Sequence, residues 1–443
     1  MSEPQRPQPN ISVFEGITII IGLILGAGIF KAPSIVAANS ANEAVFLGLW
    51  LLGGVLVFAG ALCYAELGAA HPHAGGEYHF LTRAYGAPTG LLFAWARCTV
   101  IQTGAIAAVA FVYGDYANVL VPLGRYGPSI HAFIIVVMLT AINIRGTVES
   151  KQTQIVLTFL EFSAVVAVSV AGLLLSQAAP GTPAPASSGG GNVGLAMVFI
   201  LLTYGGWNEA AYLSGELSDV RRNMVRVLML GTAIIVAAYL LINLGYLHAL
   251  GLDGMKQSSV VAADVMRRAV GDSGAAILAV VVIIAALSTI NATIFTGART
   301  SYAVGLDVPL LNALGVWSPR GHNPANALLL QGAISLLLIV LGAVSRDGFE
   351  AMVAYTAPVF WLFLFLAGLS LIVFRMREPQ RDLPFRVPLY PLPPLILCAT
   401  SIWMLYSSLV YAGPGALLGV AVLLLGTPLI WVQTRRGRQP QQT

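Results

Sequence analysis

Twelve windows of about twenty apolar residues, nearly empty of charge, recur along this chain of 443 residues. Each is long enough to cross the roughly 30 Å hydrocarbon core of a bilayer as a helix. They lie near 13–38, 44–70, 88–113, 129–145, 152–176, 193–215, 226–249, 273–303, 325–344, 349–374, 392–411 and 414–433. Only 9% of the chain is charged, against roughly 25% in soluble domains, so an all-α integral membrane protein is expected. The first dozen residues are polar and proline-rich, and no small-residue cleavage site follows a short apolar core. No signal peptide is therefore expected, and the first window stays in the chain.

Basic residues orient such a protein, because Lys and Arg are retained in cytoplasmic loops. With twelve spans both termini share a side. Placing them in the cytoplasm puts sixteen Lys and Arg residues, from Arg6 to Arg438, on that side, and only Arg125, Lys256, Arg267, Arg268 and Arg346 opposite. The chain then divides into a cytoplasmic tail at 1–12, five helices at 13–176, an external loop at 177–192 and five helices at 193–374. A cytoplasmic connector at 375–391, two further helices at 392–433 and a tail at 434–443 complete it.

Two windows carry their own breaking points. In ITIIIGLILGAGIF (17–30) the glycines Gly22, Gly26 and Gly28 crowd where a spanning helix should be most regular, and LLTYGGWN (201–208) has the same defect at Gly205 and Gly206. An unpaired peptide group in hydrocarbon costs several kcal/mol, so irregular backbone survives there only against a cavity or a ligand. Close packing of small residues is the plainer account of a lone Gly-Ala-Gly. A second break five helices later and running antiparallel is what an inverted five-plus-five repeat with a midplane site requires.

Unwinding frees N–H groups at the start of the second half-helix and carbonyls at the end of the first. The N–H end suits an anion and the carbonyls suit an ammonium group. Together they are complementary to a zwitterionic α-amino acid. The expected donors are Ala27, Gly28 and Ile29, and the expected acceptors are the carbonyls of Ile24, Leu202, Thr203 and Gly205.

GAGIF (26–30) followed by Pro33 resembles the first helix of the amino acid–polyamine–organocation (APC) superfamily. CYAELGAAHPHAGGEYHFLTRAYG (63–86), TYGGWNE (203–209) and MREPQRDLPFRVPLYPLPPL (376–395) look like L-type amino acid transporters and bacterial amino acid permeases. The resemblance implies a LeuT-like fold with broken helices 1 and 6, alternating access, and a substrate held between those helices. It maps carboxylate contacts onto Ala27 and Gly28, and amine contacts onto the carbonyls of Ile24, Leu202 and Gly205. Tyr204 and Trp207 match its aromatic positions beside the substrate, although packing aromatics would look the same.

One position departs from many relatives. Where they carry a lysine that stands in for a sodium ion, this chain has Glu161, well inside the fifth window. A carboxylate at that depth costs about 2.5–3.5 kcal/mol on the insertion scale. It is a proton carrier, a cation ligand together with Ser288, Thr289 and span 1 carbonyls, or a protonated structural group. Asn291 tunes the side-chain pocket or bonds across a helix interface. Gln102, Thr103, Asn208, Glu209, Tyr355 and Phe360 are further pocket candidates. Glu66 is expected to order a cytoplasmic loop, and Lys31 and Arg97, near window ends, to snorkel to the interface.

No cofactor and no metal site are expected, including at His71 and His73, and the three cysteines lie in apolar windows without pairing spacing. No phosphate-binding GxxxxGK[ST] or hydrolase motif occurs, so an enzyme is not expected. The expected function is a cell-membrane permease for an amino acid, most readily a neutral one, with protons as a candidate coupling ion. An exchanger, a cationic amino acid or polyamine carrier, and an ion channel are the alternatives. The lipid bilayer and the small-molecule substrate are its expected partners, without nucleic acid. An obligate protein partner is not expected, since no cysteine sits in an external loop to tether one.

Overall fold

The computed structural model describes residues 11–428 except 74, 147–150, 178–190, 215–216, 308, 319–322, 346, 382 and 412. Most of the 177–192 loop and both tails therefore lie outside the described residues. The apolar windows become helices, the one structure in which a single segment satisfies all its own peptide groups. Among the described residues nine are long and apolar enough to cross a membrane: α2 (Glu43–Ala70), α3 (Ala87–Leu120), α4 (Gly124–Arg145), α5 (Ile155–Leu175), α7 (Val220–Gln257), α8 (Asp272–Leu306), α9 (Ala325–Gly342), α10 (Gly348–Arg377) and α11 (Leu392–Tyr411). Three are shorter: α1 (Val13–Ile24), α6 (Val193–Thr203) and α12 (Pro414–Pro428).

Large apolar side chains stay exposed along α4 (Ile130, Phe133, Ile134, Val137), α9 (Leu329, Leu337) and α11 (Ile402, Leu409). Such a surface is suited to lipid, not water. The core of α4 is only 33% buried, whereas that of α3 is 78% buried. The centre of the bundle is thus α3, which packs against α4, α8 and α10.

α1 and α6 are short because both stop at the glycines. α1 starts on a capping box, with Ser12 and Glu15 each bonding the other's backbone N–H. It ends at Ile24, where Leu25 takes φ −73°, ψ 63° and Gly26 donates to the Ile24 carbonyl at 2.7 Å, the geometry of an inverse γ-turn. A single 3₁₀ turn, Ala27–Phe30, leads to the helix Ala32–Ala38, whose Pro33 sits in the first turn, where its missing N–H is not needed. α6 stops at Thr203, and Gly206 adopts φ +108° before the 3₁₀ turn Trp207–Glu209 and the short helix Ala210–Leu213. A Cβ on Gly206 would lie 2.2 Å from the Leu23 carbonyl oxygen, so one break is seated directly on the other.

α7 packs along both α1 and α2, and α10 carries α11 and α12. Close approach between helices depends on small residues. Gly114 on α3 faces the Pro128 carbonyl of α4, 2.1 Å from where a Cβ would stand, while Gly48 on α2 faces open space. Gly114→Ala is therefore expected to push α4 away and lower stability by about 1–3 kcal/mol. Gly48→Ala should raise it by roughly 0.5–1 kcal/mol, through helix propensity alone. Apparent melting temperatures in detergent, compared with the wild type, read both; equal shifts for the two would contradict this packing.

Candidate functional site

The two breaks meet at the middle of the bundle. The turn Ala27–Phe30 begins with N–H groups that no side chain caps among the described residues. Opposite it stands Thr203, whose hydroxyl lies 3.4 Å from a Cβ built on Gly28. Ala27 and Ile29 are buried and Gly28 is half-buried.

The carbonyls freed by unwinding find partners in the protein. Ile24 accepts from the Tyr239 hydroxyl at 2.9 Å as well as from Gly26, Ile29 accepts from Tyr246 at 3.3 Å, and Phe30 accepts from Tyr116 at 3.0 Å. Leu202 accepts from Gly205 N–H at 3.0 Å, closing the α6 end locally. Three buried tyrosines therefore do what a regular helix would have done for itself. None was singled out from the sequence. The available signal was Tyr239 and Tyr246, seven residues and two turns apart on one face of an otherwise apolar helix.

The aromatic candidates flank this junction. Tyr204 is fully buried between Trp50 and Tyr239, with ring centroids at 5.6 and 5.1 Å, and donates to the Trp50 carbonyl at 3.3 Å. Trp207 packs edge-on to Tyr64 at 5.0 Å. Gln102 donates to Thr296 at 3.2 Å, joining α3 to α8, and the Tyr355 hydroxyl donates to the Thr99 carbonyl at 2.9 Å, joining α10 to α3. Thr103 donates within its own helix. Asn291 takes the second of its two readings: it accepts from Asn143 at 2.6 Å across the α8–α4 interface. Thr289 bonds to Ala285 of its own helix and Ser288 is buried.

Glu161 is 3% exposed, and its Oε2 has no hydrogen-bond partner among the described residues. Its helix, α5, packs against α1, α7 and α8, and α7 is the helix that carries Tyr239.

The snorkelling expected of Lys31 and Arg97 is not what the structure has; each is only 3% exposed. Their charges turn inward because carboxylates wait there. Lys31 Nζ lies 2.8 Å from both Asp115 of α3 and Asp347, the N-cap of α10, and 3.4 Å from the Ser259 carbonyl. Arg97 makes a two-pronged pair with Glu209 at 3.1 and 2.9 Å, stands 3.9 Å from Glu77, and lies over the Tyr212 ring. Glu77, on the helix Gly76–Tyr85, also accepts from Tyr64 at 2.5 Å, Asn208 at 3.2 Å and Tyr212 at 3.5 Å. Burial pushes its carboxyl above the ordinary range, with Arg97 pulling the other way. Arg97 and Asp115 are eighteen residues apart on one helix, a rise of about 27 Å. The two clusters therefore sit at opposite ends of the bundle, with the breaks between them.

Glu66 binds Arg375 of α10 at 2.8 and 2.6 Å and accepts from the Val387 N–H at 2.6 Å, so it fastens the connector.

The model of the amino acid permease family matches residues 11–432. The chain belongs to that family. This permease is 28% identical over 415 residues to the rat (Rattus norvegicus) b(0,+)-type amino acid transporter 1, covering 91% of this chain and 83% of that one. It is 27% identical over 442 residues to the serine/threonine exchanger SteT of Bacillus subtilis (strain 168), covering 98% and 99%. With the human cystine/glutamate transporter it shares 25% over 435 residues, covering 96% and 85%. The permease is thus a multi-pass membrane transporter of the APC superfamily acting on amino acids, not an enzyme.

Removing the buried cation tests the first charge cluster. Lys31→Met leaves Asp115 and Asp347 facing one another without a cation, and breaking a buried pair in this way costs about 3–5 kcal/mol. Asp115→Asn in the same chain should recover part of the loss. Melting temperatures of the two single variants and the double variant read the coupling; strictly additive effects would mean that the pair is not made.

Proposed function

We propose that the permease carries a neutral α-amino acid across the cell membrane by alternating access. The observation that carries this reading is the seating of the α6 break on the α1 break. It sets the N–H turn of Ala27, Gly28 and Ile29 opposite Thr203, and Gly206 against the Leu23 carbonyl. On this reading the N–H groups take the substrate carboxylate, and the backbone at Leu202–Gly205 faces its ammonium group. The Ile24 carbonyl joins them when Tyr239 releases it. Tyr204, Trp207, Gln102 and Tyr355 close the space around the side chain.

The proposed architecture is twelve spans in a LeuT-like five-plus-five inverted repeat, with α11 and α12 appended and both termini in the cytoplasm. α1, α6 and α12 are counted as spans together with the short segments that continue them. The packing supports the repeat. Exchanging each helix for its counterpart five positions away in the other repeat turns the contact α1–α7 into α6–α2, α3–α4 into α8–α9, α3–α10 into α8–α5 and α1–α5 into α6–α10. Both members of every pair occur. The excess of basic residues at one set of loops supports the orientation.

Glu161 is the proposed proton carrier, Ser288 and Thr289 flanking the path on α8. A buried carboxylate without a partner is costly when charged. Its helix packs on both α1 and α7, so its protonation would bias the break between them. Exchange of one internal amino acid for one external is a second reading, favoured by the match to a named exchanger over 98% of this chain. No obligate protein partner is part of either reading.

Reconstituted in liposomes, the wild type should take up labelled neutral L-amino acids saturably and stereoselectively; unsaturable current would point to a channel. Gly28→Val places branched carbon against Thr203 and across the N–H turn, and should lower uptake at least tenfold, whereas unchanged affinity would undo the site. Glu161→Gln should abolish accumulation driven by an imposed pH gradient while preserving exchange with preloaded substrate. Retained gradient-driven accumulation would remove Glu161 from coupling. Uptake that requires preloading in the wild type would favour the exchanger.

A further inference from the structure

Beside the α6 break three ionisable groups meet whose charges do not cancel. Arg97 and Glu77 are both buried, while Glu209 is the outer member, its side chain 29% exposed. Glu209 holds both terminal nitrogens of the guanidinium, at 3.1 and 2.9 Å. Oε2 of Glu77 stands 3.9 Å from Nη1, beyond hydrogen-bond reach. One cation therefore faces two carboxylates, and the outer one has engaged it.

The bonds at Glu77 suit one protonation state. Its Oε1 accepts from the Tyr64 hydroxyl at 2.5 Å and from Asn208 at 3.2 Å. Among the described residues its Oε2 has only the Tyr212 hydroxyl, at 3.5 Å, and a phenol can accept as well as donate. A carbonyl oxygen with two donors and an O–H with an acceptor is the pattern of a protonated carboxyl. A second negative charge here would be buried without its own counter-ion, and a group so placed neutralises instead. Burial pushes the Glu77 carboxyl up, against the pull of Arg97 and with the help of Glu209. The charged and titratable groups facing it are thus Tyr64 of α2, Arg97 of α3, and Glu209 and Tyr212 beyond the α6 break. From α10 come the apolar Phe360 and Phe363. Glu77, Arg97 and Glu209 also line a common cavity of about 20 Å³, room for a single water. The buried Nε–H of Arg97 has no partner among the described residues, so a second arrangement of the guanidinium breaks no bond at that nitrogen.

We propose that Glu77 is a proton-binding site of the permease, and that it gives up its proton when Arg97 leaves Glu209 to pair with it. Arg97 needs to move only about 1 Å to reach the roughly 2.7–2.9 Å of a charge-assisted bond to Glu77. One proton passes from Glu77 to water in the cavity, the buried guanidinium keeps a carboxylate partner throughout, and the released Glu209 turns to solvent. Parting Arg97 from Glu209 also unfastens the α6 turn from α3, so proton release and opening at that end are one event. That last step rests on the transport reading above; the proton site does not, and it is distinct from Glu161 on α5.

Infrared spectroscopy of the purified full chain decides it, by the carbonyl stretch of protonated carboxyls titrated from acid to alkaline pH. Glu77→Gln keeps the shape of the side chain, and its amide oxygen can still accept from Tyr64 and Asn208. The difference between wild type and this variant should be one protonated carboxyl per chain, titrating above the ordinary carboxylate range. Glu209→Gln leaves Glu77 as the one carboxylate beside Arg97. Read against the Glu77→Gln, Glu209→Gln double variant, the same band should then titrate lower by about one pH unit or more. Identical spectra for wild type and Glu77→Gln at every pH overturn the proton site. A band that Glu209→Gln leaves unmoved overturns the exchange of partners. The measurement needs no substrate, so failure of amino acid uptake in liposomes would count against the transport reading and not against this site.

Discussion

Everything central in this permease follows from peptide groups that a bilayer will not hydrate. Two helices stop half-way, each leaving carbonyls and N–H groups that cost several kcal/mol apiece if orphaned in hydrocarbon. The fold answers by bringing the two ends together and by sending in hydroxyls. Tyr239 and Tyr246 from α7 and Tyr116 from α3 bond the carbonyls of Ile24, Ile29 and Phe30. Among the described residues the N–H groups at Ala27–Ile29 receive no side-chain cap. The asymmetry gives the junction a direction: acceptors are held by the protein, donors are offered.

The same economy of satisfied groups governs the charges. A lone lysine or arginine inside the bundle would be expelled or would shift helices to reach water. Lys31 and Arg97 stay because Asp115, Asp347, Glu77 and Glu209 come from other elements to meet them. Each cluster therefore staples one of the broken helices to α3. Lys31 follows the α1 break directly, and Glu209 follows the α6 break. α3 is the common strut, which accounts for its being the most enclosed of the long helices.

Much of this was legible in the residues. Window length fixed helices to within a few positions for α2, α9, α10 and α11, and Gly26, Gly28, Gly205 and Gly206 marked both breaks, because irregular backbone at that depth needs residues without a Cβ. The inward turn of Lys31 and Arg97 was not legible. Hydropathy gives a residue's depth along a window but not the direction of its side chain, and the acids that meet it are 84 and 112 positions away. Asn291 illustrates the same limit: pocket and interface asparagines look alike until Asn143 is seen opposite. The tyrosines on α7 escaped notice because Tyr in a span is unremarkable until a free carbonyl stands within reach.

With both end clusters formed, neither end of the bundle can open without separating buried ions. A ligand shifts such an equilibrium only by its differential affinity for the two states, and on the proposed reading a neutral amino acid at the junction would touch neither Lys31 nor Arg97. On that reading the coupling passes through the broken segments themselves, since Lys31 stands three residues beyond Gly28 and Glu209 three beyond Gly206. One turn of backbone separates glycine from staple in each case. A carboxylate drawn onto the Ala27–Ile29 turn would tighten that turn and carry Lys31 with it, and the counterpart motion in α6 would carry Glu209. On this reading the breaks are both the site and the lever, and glycine is needed at each for the second reason as much as for the first.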